Sequence, residues 1–329
     1  MRAIVLAAGL GSRLGALSDE LPKPLFPVVD VPLVRYGLAL LAGHGVEEVA
    51  INLHHRGELI VAELDGASEP MRIHWSREEA ILGTGGGIRR VGDWLTDGGR
   101  EPFFVLNGKL VIDVDLTRLA ECHRASGAIG TMVVREVPDA ERWGAIDVDA
   151  SGRVVKILGE GTGEVARRTM FTGVHVLSPD FVKGLPSGES CAIRQGYVPA
   201  LRAGAQIDSY LYHGYFQEHS TPERYLAGNR AVLAGEARLS YSPGAIDGID
   251  DSARIARGVS LVPPYRIGAG AVIGAGATVG PFAVIGRGAR VDDVAHIREA
   301  VVWPGVTARG SIEHAVVTRR GVHEINGGH

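Results

Sequence analysis

From Ile255 onward an apolar residue returns at every sixth position, through Leu261, Ile267, Ile273, Val279, Ile285, Val291, Ile297 and Trp303. Several are followed by glycine, as in Ile267-Gly268-Ala269-Gly270 and Ile273-Gly274-Ala275-Gly276. This period fits neither the turn of a helix nor the alternation of a strand. It marks a hexapeptide β-helix, a prism in which each flat side spends about six residues and turns one aliphatic side chain inward. A coil takes about eighteen residues, so the segment makes about three coils. So few coils bury little and leave open ends, and the prism is expected to pack against the rest of the chain or another subunit. His296 is the one histidine inside the clean repeats, which leaves acyl transfer on the prism open beside a purely structural or assembly role.

The chain ahead of the repeats has another character. Up to about Gly235, strand-like runs alternate with helical patterns, which predicts α/β layers around a largely parallel sheet. The strands are expected at Ala3–Ala8, Glu48–Leu53, Met71–Ser76, Phe103–Asn107, Ile129–Glu136, Phe171–Leu177 and Gln206–His213. Helical patterns fall at Leu33–Leu41, Leu116–Ala125, Arg194–Arg202 and Pro222–Ala234. The expected division is an α/β domain over 1–237, a linker over 238–254, and the β-helix with its tail over 255–329.

Composition narrows the function classes. A chain of 329 residues with 45% hydrophobic content has material for two cores. Its net charge of −4 supplies no basic field for nucleic acid or an anionic membrane, while small anions held by a few local cations stay open. Cys122 and Cys191 are too few for a disulfide framework or a zinc site, which fits a reducing cytoplasm. The N-terminal apolar run is short and enters a glycine loop directly, so it reads as a first strand and not as a signal peptide. No stretch approaches the roughly 20 apolar residues of a membrane span.

That first strand, Ile4-Val5-Leu6-Ala7-Ala8, breaks into Gly9-Leu10-Gly11-Ser12-Arg13-Leu14, and Pro22-Lys23-Pro24-Leu25 follows. Glycines leave backbone N–H groups uncovered for an anion, and Arg13 and Lys23 add fixed positive charge. Gly-x-Gly after a strand is by itself most often a tight turn; no Gly-Lys-Ser/Thr follows, and the spacing departs from the dinucleotide fingerprint. The whole string, from Leu6 to Pro27, resembles the signature of the sugar-1-phosphate nucleotidylyltransferases, most closely the mannose-1-phosphate guanylyltransferase branch.

The resemblance implies a Rossmann-like nucleotidyltransferase domain, a C-terminal left-handed β-helix that builds oligomers, and a reaction between a nucleoside triphosphate and a sugar 1-phosphate. The sugar phosphate attacks the α-phosphorus, giving a nucleoside-diphosphate sugar and pyrophosphate. Such chemistry rests on positioning and charge neutralisation. By the resemblance, Leu6, Ala7, Ala8, Gly9, Gly11 and Ser12 cradle the nucleotide, Arg13 faces the leaving pyrophosphate, and Lys23 the α-phosphate or the incoming phosphate. Glu78-Glu79-Ala80-Ile81-Leu82-Gly83-Thr84-Gly85-Gly86-Gly87 resembles the family's base-side element, which places Gly83, Thr84 and Gly85 at the nucleoside, with Asn107 and Gly108 closing a neighbouring strand end. The missing Gln-Pro pair of the uridylyl and thymidylyl branches points to guanine. Sugar contacts are expected at Gly144, Glu160, Thr172 and Gly173. His54 and His55 read as structural or rim residues.

The departures from the family are as telling. Its Asn-Gly-Asp, whose Asp holds Mg²⁺, reads Asn107-Gly108-Lys109 here, and the second metal Asp falls on Glu218 in Phe216-Gln217-Glu218-His219-Ser220-Thr221-Pro222. A protonated Lys has no lone pair for a cation and repels it. The expectations are therefore a weak or absent metal site at Glu218, Mg²⁺ entering through the nucleotide phosphates or not at all, and Lys109 standing in for the metal's charge. The family's Glu-Lys-Pro aligns with Gly159-Glu160-Gly161, so a Lys109–Glu160 ion pair is expected. Asp115 reads as a helix N-cap more readily than as a replacement ligand. Two function classes fit: a working transferase, and a non-catalytic nucleotide-sugar-binding paralogue built on the same frame.

Overall fold

The computed structural model describes residues 1–65 and 71–325. Residues 326–329, the end of the expected tail, lie outside the described part. The described chain forms two compact units, one made of Met1–Gly9 and Gly37–Gly214, the other of Leu10–Tyr36 and Tyr215–His329.

The first unit is an α/β layer structure. Strands β1 (Ala3–Leu6), β2 (Glu48–Leu53), β3 (Arg72–Arg77) and β4 (Phe103–Asn107) run parallel in the order β4-β1-β2-β3. The strands β1, β2 and β4 are apolar at almost every position because they are covered on both faces, which is why they read as continuous hydrophobic runs. The 11-residue strand β8 (Arg167–Leu177) pairs antiparallel with β4, with β5 (Gly130–Arg135) and with β6 (Ala145–Val148). Beyond these, β7 (Val154–Ile157) continues from β6, and β9 (Ile207–Leu211) lies parallel to β5. The β6–β7 hairpin and the full length of β8 are absent from the sequence reading, since their short runs alternate with charged residues. Its helices are α1 (Leu33–Gly43), which enters this unit at Gly37, α2 (Gly57–Leu64), α3 (Gly83–Arg90) and α4 (Leu116–Ser126), among shorter ones. Asp115 caps α4, its carboxylate accepting the Arg118 N–H at 2.9 Å.

The second unit contains the prism. Its strands stack in parallel on three faces, headed by Gly248–Ile249, Arg254–Ile255 and Ser260–Leu261. The first strand lies inside the segment 238–254 expected as linker. Ile267, Ile273, Val279, Ile285, Val291, Ile297 and Trp303 are all buried, as the repeat predicts. Ile255 is 37% exposed because it belongs to the first coil, where no earlier coil covers it. A short hairpin, Ala315–Thr318 with Gly321–Glu324, ends the stack. The same unit holds helix α5 (Pro222–Leu233), started by Thr221, whose hydroxyl accepts the Arg224 N–H, and by Pro222 in the first turn.

Candidate functional site

In the first unit the carboxyl ends of β1, β2 and β4 bring several candidate residues together. Ala7 and Ala8 are buried and Gly9 is exposed. The Ala7 N–H donates to Asn52 Oδ1 at 2.6 Å, and Asn52 Nδ2 donates to Glu78 Oε1 at 2.8 Å. The other Glu78 oxygen accepts the Leu82 N–H at 2.9 Å, just ahead of α3. One buried carboxylate and one buried amide thus tie the end of β1 to the start of the glycine-rich element. Asn52 and Glu78 escaped the sequence reading as site residues, although a polar residue within the apolar run Ile51-Asn52-Leu53 is the signal that could have found Asn52. His54 Nδ1 donates to the Glu78 carbonyl at 3.0 Å, a structural role.

The glycines of α3 are enclosed by protein. A Cβ at Gly83 would stand 2.5 Å from the Ser190 carbonyl oxygen, at Gly86 2.2 Å from that of Gly188, and at Gly87 2.8 Å from Asn52 Nδ2. The Ser190 carbonyl accepts the Gly85 N–H at 2.8 Å, and the Thr84 hydroxyl accepts the Ala192 N–H at 2.9 Å. Part of the helix N-terminus is therefore satisfied by the chain's own segment 188–192, which leaves fewer free donors for an anion.

At the end of β4, the Gly108 N–H donates to the Leu6 carbonyl at 2.9 Å, which fixes the turn carrying Lys109. Asn107 packs on Gly173, where φ is +89° and a Cβ would stand 2.3 Å from Asn107 Nδ2. That contact brings two predicted residues together and accounts for the glycine. Thr172 is different: it is buried, and its hydroxyl donates to the Val133 carbonyl at 2.8 Å within an irregular stretch of β8. Its hydroxyl proton is thus taken up by the sheet. Leu158 and Gly159 form the left-handed turn that joins Ile157 to Glu160, and Leu158 packs over Gly144. Glu160 pairs with Arg202 at 2.7 Å, a partner other than the Lys109 expected from the sequence. The turn aims its carboxylate toward the short helix Val198–Arg202, a contact that charge bookkeeping along the sequence could not reveal.

The second unit carries the other candidates. Gly11 takes a left-handed conformation with φ +72°, and the loop closes around Ser18, whose hydroxyl donates to the Gly11 and Gly15 carbonyls at 3.1 and 2.8 Å. The closure leaves Ser12 and Arg13 exposed. Lys23 is half-buried, with its Cε 3.8 Å from where a Cβ of Gly11 would be. Arg13 Nη2 lies 3.5 Å from the Glu218 carboxylate, which is far less exposed than the guanidinium.

These observations decide the fit of a divalent cation. One family ligand position holds the Lys109 ammonium, and the carboxylate at the other is engaged by Arg13. Lys109 has no lone pair for a divalent cation, so at the two positions that the resemblance assigns only Glu218 keeps a carboxylate. Among the described residues, one group of potential ligands has metal-like spacing, Glu299, Glu313 and His314 on the prism, and its carboxylates already pair with Arg230 and Arg298. No described helix is long and apolar enough to cross a membrane.

Known proteins place this architecture. The Nucleotidyl transferase family matches residues 2–189. Mannose-1-phosphate guanylyltransferase of Mycobacterium tuberculosis is 30% identical over 281 residues, covering 83% of this chain and 76% of the relative. Mannose-1-phosphate guanylyltransferase 1 of Arabidopsis thaliana is 26% identical over 98% of this chain and 92% of its own length. UTP–glucose-1-phosphate uridylyltransferase of a Synechocystis strain is 27% identical over 83% of this chain and 80% of its own length. The crystal structure of HddC from Yersinia pseudotuberculosis shares the fold, with TM-score 0.59 and 23% identity over 70% of this chain and 99% of that one. The chain belongs to the nucleotidyl transferase family, as a sugar-1-phosphate nucleotidylyltransferase.

Proposed function

We propose that the protein transfers a guanylyl group from GTP to mannose 1-phosphate, releasing pyrophosphate, with an atypical charge arrangement centred on Lys109. The observation that carries the last point is the ammonium at the end of β4 where the family carries a metal-binding Asp. Two of the relatives described above are mannose-1-phosphate guanylyltransferases, which supports the sugar and the base; the uridylyltransferase makes UTP with glucose 1-phosphate the alternative pair.

In this proposal Arg13 neutralises the leaving pyrophosphate, Lys23 the α-phosphate, and Lys109 the charge otherwise offset by a metal ion. Fixed cations need no reorganisation as charge moves from the α-phosphorus to the leaving group. Leu6 to Gly9, Gly11, Ser12, Gly83 to Gly85, Asn107 and Gly108 hold the nucleotide, and Gly144, Glu160 and Gly173 line the sugar side. Mg²⁺, where it takes part, arrives with the triphosphate, Glu218 being the one family position that keeps a carboxylate. The enzyme works in the cytoplasm as a homo-oligomer or with a partner subunit through the prism, and the sequence segments 1–237, 238–254 and 255–329 are its catalytic domain, linker and assembly element.

The test is pyrophosphate release from GTP, ATP, UTP, CTP and dTTP with a panel of sugar 1-phosphates, with Mg²⁺ and with EDTA, beside Lys109→Asp. Turnover that survives EDTA in the parent and becomes Mg²⁺-dependent in the variant is the expected result. A silent parent with an active, Mg²⁺-dependent variant would show a nucleotide-sugar binder built on a disabled frame, the reading that Lys109 also favours.

A further inference from the structure

The loop that carries Arg13 and Lys23 belongs to the same compact unit as the prism. Three contacts hold it there. The loop ends in a tight hairpin, Pro27–Val28 against Val31–Pro32, whose turn residues Val29 and Asp30 are both left-handed, with φ +48° and +69°. The turn puts the Asp30 carboxylate into the prism, where it accepts the Arg287 N–H at 2.8 Å and is only 9% exposed. A Cβ at Gly268 would stand 2.1 Å from Asp30 Oδ2 and 2.7 Å from the Arg287 backbone N, so the carboxylate and the next coil together fill the space that this glycine leaves. Burial raises the Asp30 carboxyl above its usual range, against the pull of the Arg287 N–H and of the Arg287 and Arg266 charges.

The second contact is aromatic. Trp303, the bulkiest residue in the repeat series, meets Phe26 edge-on at 5.1 Å between centroids, and its Nε1 donates to the Tyr225 hydroxyl at 3.2 Å. That hydroxyl donates in turn to the Pro27 carbonyl at 2.6 Å. The third contact comes from the terminal hairpin: Arg320 pairs with Asp19 at 3.0 Å, and the Arg319 N–H donates to Glu20 at 3.2 Å. A cavity of about 580 Å³ is lined by the loop, including Arg13 and Leu17, by Thr221 and Glu223 of the α5 start, and by His323 of this hairpin.

We propose that Asp30 is a positioning residue for nucleotidyl transfer, a peg that seats the Arg13–Lys23 loop in the β-helix, so that the prism is part of the phosphate-binding apparatus and not only an assembly element. The proposal rests on the assignment of Arg13 and Lys23 to phosphates. Asp30→Gly removes the carboxylate while keeping a residue that accepts the left-handed backbone, and Asp30→Asn keeps an acceptor for the Arg287 N–H. The readouts are amide hydrogen exchange over residues 12–25, and kcat against KM.

Asp30→Gly is expected to speed exchange over 12–25 by about tenfold and to lower kcat by about tenfold, with the KM of the sugar phosphate held within about twofold. Asp30→Asn is expected to restore both. Unchanged exchange, or faster exchange with unchanged kcat, overturns the proposal. Should Asp30→Gly fail to fold, the exposed variant Arg320→Asp, which repels Asp19, and its restoration by Asp19→Arg carry the same test with a smaller effect of about threefold. Lys23→Ala separates the two levels: full turnover there overturns the phosphate assignment itself, whereas an inactive Lys23→Ala beside an unaffected Asp30→Gly overturns the peg alone.

Discussion

Two glycine-rich stretches, Gly9-Leu10-Gly11 and Gly83-Thr84-Gly85-Gly86-Gly87, look alike on paper and are built for different neighbours. Around Gly83 to Gly87 the missing side chains make room for the protein itself, the backbone of 188–190 on one side and Asn52 with Glu78 on the other. At Gly9 nothing stands within 4 Å of where a Cβ would be, and the residue is exposed. A glycine cluster signals close approach in either case. What approaches, a ligand or another stretch of chain, depends on residues about a hundred positions away.

The contrast is easiest to break by adding a methyl group to each stretch. Gly86→Ala puts a Cβ against the Gly188 carbonyl and is expected to cost about 3 kcal/mol in urea unfolding. A loss below about 0.5 kcal/mol would remove the packing account of the triplet. Next in size, Glu78→Ala leaves the Asn52 amide and the Leu82 N–H without their acceptor in a buried place, an expected loss of about 2–3 kcal/mol. Glu78→Gln keeps one acceptor and should recover about half of it. Equal losses in the two variants would mean that the carboxylate's hydrogen bonds are not what joins β1 to α3.

A pH titration sharpens the same point about the interior of the first unit. Burial pulls His123 down to about 4 and His175 to about 3, so the folded protein refuses protons that the unfolded chain takes up near pH 6.5. Their contribution to stability is complete above pH 6.5 and is lost as pH falls from there toward 4 and then 3. Melting is expected to drop by about 5 °C between pH 7 and pH 4.5, with a shallower slope in His123→Asn. The smallest stability effect belongs to Gly9→Ala, under about 0.5 kcal/mol. There the expected change is in nucleotide KM, raised by about tenfold because the methyl occupies space kept clear at the strand end. A KM equal to the parent's would place the phosphates elsewhere.

Much of this was legible in the chain. The six-residue period determined the prism and its inward positions, and the apolar runs determined the parallel strands β1, β2 and β4, because burial on both faces leaves its mark on every residue of a strand. The strand-end motifs and the helix start at Asp115 were legible for the same local reason. The β6–β7 hairpin, the Asn52–Glu78 link and the Arg202 partner of Glu160 were not, since each joins residues far apart in sequence through side chains that are ordinary in composition.

The sequence by itself determined that a glycine loop followed by Arg13 and Lys23 comes after the first strand, that Lys109 follows Asn107-Gly108, and that a β-helix follows. Only the tertiary structure decided that segment 188–192 packs against the glycines of α3, that the Thr172 hydroxyl bonds within the sheet, and that the segment from Leu10 to Tyr36 falls in one compact unit with the prism. The physical reason is that periodicity and turn chemistry are written over a few neighbouring residues, whereas a buried hydrogen bond or a filled gap requires two distant segments to meet.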